Sequence, residues 1–127
     1  MKISNTMIRS YLGQITLTYF VENDEMPEDF GEFDGHIATL RYEAEAAGDL
    51  PWLELGLQYL LNDPQTDLAA YSGGMFPLHD SDMREIISYL LDRLEAPGGT
   101  EEPAIPITLE EMTGDEWRAY RAGLTPP

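Results

Sequence analysis

The sequence predicts an α+β fold in which an N-terminal antiparallel β-hairpin, or a small sheet, packs against three helices. Apolar and polar residues alternate in the segment 14–21, which is typical of a half-buried strand. Apolar residues recur every three or four positions in the segments 49–62 and 81–95, which indicates amphipathic helices. The length of 127 residues fits a single domain, 1–127.

The first predicted strand runs from Gln14 to Val21. Its residues are mainly β-branched and aromatic, which favours extended structure. Met7 to Leu12 is a candidate for a preceding strand, and Gly13 for the turn or bulge between the two. The residues expected on one face of the first strand are Ile15, Leu17, Tyr19 and Val21.

The segment from His36 to Glu45 is compatible with two structures. As a strand that continues through Tyr42, it would complete a hairpin with the segment 14–21. As a helix, it would align residues that include Ile37 and Leu40 on one face, and Gly48 would suit its end. We favour the strand, because the first strand needs a partner.

Two helices are expected in the middle of the chain. Asp49 is the expected N-cap of a helix over the segment 49–62. The clearest helix covers the segment 81–95, where Asp82 and Glu85 have the spacing of a capping box. Its apolar stripe consists of Met83, Ile86, Ile87, Leu90, Leu91 and Leu94.

The last part of the chain begins with a Pro/Gly-rich connector at 97–107. Two helix-start signals follow, one at 108–111 and one formed by Thr113 and Glu116. They predict a short final helix, and residues 124–127 are expected to form a loose tail.

The net charge is the most unusual property of the sequence. It is −17, because 24 acidic residues stand against 7 basic ones. Such a charge disfavours direct binding to nucleic acid or to anionic membranes and favours a cationic partner. Solubility or halophilic adaptation is the alternative explanation for the charge. The absence of cysteine and of a long apolar run leads us to expect a cytoplasmic protein.

The acidic residues are densest in the segment 22–35, which we expect to be a loop because Pro27, Gly31 and Gly35 interrupt it. No lysine or arginine occurs there. Phe30 and Phe33 lie among the acids. At least one of the segment's apolar residues is expected to pin the loop to the core, and either phenylalanine is a candidate anchor for a partner.

No catalytic or metal-binding signature is present, so we expect a protein that is not an enzyme and has no cofactor and no metal. The acidic segment lacks the spacing of a calcium-binding loop. His36 and His79 are far apart in sequence, and no nucleophile motif flanks either of them. Asp80 and Ser81 directly follow His79, but adjacent residues do not provide the geometry of a catalytic triad.

In its size, its charge and its lack of catalytic motifs, the chain resembles the small acidic inhibitors of phages and mobile elements, which include anti-CRISPR and anti-restriction proteins. This resemblance is one of composition. It implies a DNA mimic, or a steric block, that binds the basic nucleic-acid-binding surface of a host defence complex such as a CRISPR effector or a restriction nuclease. The alternative is an accessory or immunity-type protein that binds a cationic partner without mimicry. The predicted binding residues are Glu22, Asp24, Glu25, Glu28, Asp29, Phe30, Glu32, Phe33, Asp34, Asp82, Glu85, Asp92 and Glu95.

Overall fold

The computed structural model describes residues 2–22, 27–63, 67–72, 79–94 and 107–123. Within these ranges, no helix is both long enough and apolar enough to cross a membrane. The elements in chain order are strand β1 (Lys2–Ser4), helix α1 (Asn5–Glu22), the first 3-10 helix (Phe30–Phe33), helix α2 (Asp34–Ala47), helix α3 (Leu50–Asn62), the second 3-10 helix (Leu68–Ser72), helix α4 (Asp80–Arg93), strand β2 (Thr108–Glu110) and helix α5 (Gly114–Ala122).

The prediction of a first strand is wrong, because residues 14–21 form the second half of α1. The candidate strand at Met7–Leu12 and the turn at Gly13 fall within the same helix. Val21, which the strand would have buried, is 66% exposed. Burial at the helical period outweighs the strand preference of β-branched residues. The buried apolar residues of α1 are Met7, Ile8, Tyr11, Leu12, Ile15, Tyr19 and Phe20.

Helix α2 replaces the second predicted strand at 36–42, so the helical alternative for this segment is correct. Ile37, Leu40 and Ala44 are buried at helical spacing. The helix ends at Ala47 and is capped by Gly48, whose φ of 79° is left-handed and whose N–H donates to the carbonyl oxygen of Ala44. Glycine adopts such a φ without a steric cost, which explains why the helix stops at this position.

In the described residues, the β-structure is a pair of three-residue strands, β1 and β2, which run parallel. Lys2 pairs with Thr108, and Ser4 pairs with Glu110. The predicted antiparallel hairpin is therefore wrong, and so is the helix start predicted at 108–111. Strands this short show no alternation, and their partners lie far apart in sequence. The described part of the chain is mostly helical with one small parallel sheet.

The three helices predicted after Gly48 are present as α3, α4 and α5. The side chain of Asp49 precedes α3 but makes no capping hydrogen bond. Asp82 accepts the backbone N–H of His79 at 3.0 Å, so it lies inside the first turn of α4 and not at the predicted cap position. Thr113 and Glu116 form the predicted capping box of α5.

The buried apolar side chains of the described elements form one cluster. Gly56 of α3 lies where this helix crosses the start of α1. A Cβ atom at Gly56 would clash with the side chain of Ile8, whose Cγ1 would be 3.2 Å away, and would also contact Ile3. The glycine therefore permits the close approach of α3 to β1 and α1.

Candidate functional site

The described part of the acidic segment comprises Glu22 at the end of α1 and residues 27–35. Residues 27–35 contain the first 3-10 helix and the first two residues of α2, and they are held by their own side chains. The carboxylate of Asp29 accepts the N–H of Gly31 at 2.9 Å and so caps the 3-10 helix. The predicted site residues Asp24, Glu25 and Glu95, and the side chain of Glu22, lie outside what the structure describes.

Two phenylalanines fix the acidic segment to the helices. Phe33 is fully buried, and its ring centroid lies 4.9 Å from that of Tyr19 on α1. Phe30 is half-buried, and its ring contacts those of Phe33 and Tyr89 with centroid distances of 5.6 Å each. Phe33 is therefore a core residue with no surface to offer a partner, and only Phe30 of this pair stays a candidate anchor.

A hydrogen-bonded triangle fastens the end of the segment to α4. The Tyr89 hydroxyl donates to Oδ1 of Asp34 at 2.5 Å, and Nε of Arg93 donates to the Tyr89 oxygen at 2.9 Å. The Arg93 Nε also lies 3.3 Å from Oδ1 of Asp34. The hydrogen bond to Asp34 raises the pKa of Tyr89, because loss of the phenolic proton would place two negative oxygens together.

Tyr89 lies in line with the predicted acids of α4. Asp82, Glu85, Tyr89 and Asp92 follow one another at intervals of three or four positions, which places them on one face of the helix. Glu85 and Asp92 are exposed, and Asp82 is half-exposed. Because residues 30–34 contact Tyr89, the acidic segment packs onto this same face.

The structure thus joins two predicted surfaces, the acidic segment and α4, into one. Arg93 places one guanidinium among the carboxylates. We call the joined surface the acidic face, and its described carboxylates are Glu28, Asp29, Glu32, Asp34, Asp82, Glu85 and Asp92.

Sequence reasoning missed Tyr89, which joins the two parts of the acidic face. Its spacing from Glu85 and Asp92 was the available signal. A large aromatic ring on the polar side of an amphipathic helix would be costly to expose, and its hydroxyl needs a partner when it is covered.

A second set of carboxylates lies at the junction of the C-terminal segment with the helices. Asp49 is only 7% exposed. It accepts the Tyr11 hydroxyl at 2.7 Å and the Trp117 Nε1–H at 2.9 Å, and it forms an ion pair with Arg121. Burial, together with the hydrogen bond to Asp49, raises the pKa of Tyr11. Asp49 therefore attaches α5 to α1 and to the start of α3, a role that its predicted function as a cap did not anticipate.

Glu111 fastens the chain after β2 to the start of α1. Its carboxylate accepts Nδ2 of Asn5 at 2.9 Å, Oγ1 of Thr6 at 2.8 Å and a guanidinium nitrogen of Arg9 at 2.7 Å. Because the ionised carboxylate accepts these hydrogen bonds, chiefly those from Asn5 and Thr6, the pKa of Glu111 is lowered. The hydroxyl of Tyr71 donates to Oδ1 of Asn5 at 2.5 Å and extends the network to the second 3-10 helix.

The acidic face offers carboxylate oxygens to a cationic group. Among the residues that the structure describes, no group of three or more His, Cys, Asp or Glu side chains is arranged to hold a metal ion. His79 is exposed just before α4. Comparison of the chain with protein-family models, with curated proteins and with solved structures finds no significant match.

Proposed function

We propose that the protein is a non-enzymatic inhibitor that binds the basic nucleic-acid-binding surface of another protein through its acidic face. The observation that carries this proposal is the contact between the acidic segment and α4 at Tyr89, which collects carboxylates from both into one surface. The net charge of −17 supports a cationic partner and argues against direct binding to nucleic acid.

The spacing of the carboxylates suits a basic groove. On α4, Asp82 and Glu85 are separated by roughly 5 Å along the helix axis, and Glu85 and Asp92 by roughly 10 Å, whereas duplex DNA has one charge per roughly 1.7 Å. The acidic face is therefore a sparser negative surface than DNA. Its field would still accelerate encounter with a groove lined by lysine and arginine, by roughly 10- to 1000-fold at low salt.

Contacts within the protein hold the described part of the acidic segment against the helices. Phe33 is in the core, and Asp34 is bonded to Tyr89. A partner would therefore not have to order this part of the segment, and this lowers the entropic cost of association. Phe30 is half-buried beside the carboxylates and provides apolar contact area for the complex.

The target class follows from the resemblance in composition to anti-CRISPR and anti-restriction proteins. We propose a CRISPR effector or a restriction nuclease in the cytoplasm of a host cell, inhibited by DNA mimicry or by steric block. The second candidate is an accessory or immunity-type protein that binds a basic partner elsewhere than at its nucleic-acid groove. The net charge is compatible with either function, since each requires a cationic partner.

A charge-reversal experiment tests the use of the acidic face. Glu32, Glu85 and Asp92 are exposed, so changing all three to lysine leaves the Asp34 and Asp82 hydrogen bonds in place. The matched control changes three exposed acids on α2 and α5 to lysine and has the same net charge. These control residues are Glu43, Glu45 and Asp115.

The two triple variants and the unchanged protein would be assayed against a panel of purified CRISPR effectors and restriction nucleases. We expect one member of the panel to bind the unchanged protein and the control variant, and duplex DNA to displace both. The same member should not bind the Glu32/Glu85/Asp92 variant. Equal loss in both triple variants would contradict a role for this face. Binding that duplex DNA does not displace would favour the accessory or immunity-type function.

A further inference from the structure

A cleft with a volume of about 350 Å³ lies between α1 and α5, beside Asp49. Its lining includes Met7, Tyr11 and Trp117, which are each less than a tenth exposed, so only small parts of these side chains border the cleft. Ser10, Arg118 and Arg121 contribute polar groups. The volume is at the lower end of the range for small-molecule sites, which are roughly 300–1,000 Å³ and mostly apolar with a few polar groups.

The cleft is built on a rigid frame. Asp49 accepts hydrogen bonds from Tyr11 and Trp117 and pairs with Arg121, so one buried carboxylate orients three of the lining side chains. The ring of Trp117 also contacts Trp52 of the core edge to face, at a centroid distance of 6.4 Å. A ligand would therefore meet side chains whose positions are set before it binds.

The polar lining of the cleft differs in charge from the rest of the chain. Arg118 and Arg121 both face it, although the chain has only 7 lysine and arginine residues against 24 acids. Arg118 is paired with Asp115, and Arg121 with Asp49. A guanidinium has five N–H donors, so each arginine retains donors beyond the one that its carboxylate accepts.

We propose that this cleft binds a small organic anion, in which a carboxylate or phosphate group is attached to a flat apolar body. The anionic group would accept hydrogen bonds from Arg118 and Arg121, whose fork geometry matches carboxylate and phosphate oxygens. The flat body would cover the small exposed parts of Tyr11, Trp117 and Met7, because burial of apolar surface favours binding. This site is distinct from the acidic face and does not depend on the proposed inhibitory function.

Titration with phenyl phosphate at constant ionic strength tests the cleft, and benzyl alcohol serves as the neutral comparison. The chain has 2 tryptophans, so a Trp52→Phe variant leaves Trp117 as the single fluorescent reporter. If that variant does not fold, the Trp117 indole N–H signal in the NMR spectrum of the unchanged protein gives the same reading. We expect a saturable change with phenyl phosphate and none with benzyl alcohol over the same concentrations.

The matched variants are Arg118→Gln and Arg41→Gln. Both arginines form exposed ion pairs within a single helix, but only Arg118 lines the cleft. We expect Arg118→Gln to weaken phenyl phosphate binding about tenfold, which corresponds to about 1.4 kcal/mol. Arg41→Gln should leave it unchanged, and Ser10→Phe should block it.

Three results would each overturn the proposal. The first is the absence of a saturable change at Trp117 in the unchanged protein. The second is an equal loss of affinity in the Arg118 and Arg41 variants, which would indicate only a general charge effect. The third is binding of benzyl alcohol as tight as that of phenyl phosphate, which would show that the arginines do not select an anion.

Discussion

The acidic face and the C-terminal junction are both rich in carboxylates, but their carboxylates differ in how they are paired. We define the C-terminal junction as the contacts of residues 107–123 with β1, α1 and Asp49. There, the carboxylates Asp49, Glu110 and Glu111 pair with Arg121, Lys2 and Arg9, respectively. On the acidic face, Arg93 pairs with Asp34, and the exposed acids Glu28, Glu32, Glu85 and Asp92 form no ion pair that the described residues show.

This difference shows where a chain with few basic residues places them. Among the described residues, four ion pairs connect segments that are distant in sequence. Those of Lys2, Arg9 and Arg121 belong to the C-terminal junction, and the fourth joins Arg93 to Asp34. The basic residues therefore contribute mainly to attaching the C-terminal segment. The acidic face is left with a large excess of negative charge, which costs stability but suits binding to a cationic surface.

The largest expected effect is at the C-terminal junction. Asp49→Ala would leave the Arg121 charge unpaired and the N–H of Trp117 and the hydroxyl of Tyr11 without their acceptor. We expect a loss of about 3–5 kcal/mol in the free energy of unfolding, measured by urea denaturation. The control is Asp115→Ala, whose exposed pair with Arg118 should contribute about 0.5 kcal/mol or less. Similar losses of unfolding free energy in both variants would show that the burial of Asp49 does not increase its contribution to stability.

The next largest effect concerns the attachment of the acidic face. Phe33→Ala removes a fully buried ring, and we expect it to lower the free energy of unfolding by about 3 kcal/mol. Phe30→Ala should cost less, about 1 kcal/mol, because Phe30 is only half-buried. If Phe30→Ala were the more damaging change, the assignment of Phe33 as the residue that pins the segment would be wrong.

Acid titration distinguishes carboxylates with partners from carboxylates without them. In the folded protein, the hydrogen bonds from Asn5 and Thr6 hold the pKa of Glu111 below its ordinary value of 4.5. Its stabilising contribution is therefore present above pH 4.5 and is lost as the pH falls through the folded-state pKa. We expect Glu111→Gln to lower the Tm near neutral pH. In acid, the Tm of the variant should be closer to that of the unchanged protein. A difference in Tm that does not vary with pH would contradict this.

Glu54 on α3 should behave in the opposite way. Partial burial raises the pKa of Glu54 above its ordinary value of 4.5, although the charge of Arg41 lowers it in part. The native state then binds the proton more tightly than the unfolded state does, so stability falls as the pH rises through the folded-state pKa. Glu54→Gln should therefore raise the Tm near neutral pH, and the gain should shrink in acid. A lower Tm at neutral pH would show that the carboxylate has a stabilising partner.

The smallest expected effect comes from single acids at the two ends of α4. Asp92 is in the last turn of α4, where the helix dipole disfavours an anion, and Asp80 is in the first turn, where the dipole favours one. Asp92→Asn should therefore stabilise the protein by about 0.5 kcal/mol, and Asp80→Asn should destabilise it by a similar amount. Both changes in stability should become smaller at high salt. If the two substitutions changed stability in the same direction, the helix dipole would be ruled out as the cause.

The sequence identified the elements whose signals are local. Helices α3 and α4 have apolar stripes, and α5 has a capping box at Thr113, so each can be recognised within one stretch of chain. The prediction of a strand at 14–21 was wrong because the apolar residues of this segment fit both the two-residue period of a strand and the 3.6-residue period of a helix. Only packing against the rest of the protein selects the helix. The parallel pairing of β1 with β2 could not be found, because strands of three residues leave no pattern.

The sequence predicted which acidic residues contribute to the candidate site but not how they are arranged in space. The acids of the segment and of α4 were identified as two surfaces, and their contact depends on Tyr89, which lies 55 positions from its partner Asp34. Likewise, Asp49 has the sequence context of a helix cap, and its partners Trp117 and Arg121 come from a distant helix. Local spacing can place Tyr89 on the polar side of α4, but it does not identify a partner that is so distant in sequence.

The pairing of β1 with β2 has a consequence for synthesis on the ribosome. Asn5 and Glu111 at the end of this pairing are 106 positions apart, so β1 is made long before its neighbour. Contacts across such a distance form late, because closing a long loop has a high entropic cost. We therefore expect nascent chains that stop before residue 107 to leave Asp49 and Trp52 uncovered and to be degraded by cellular proteases.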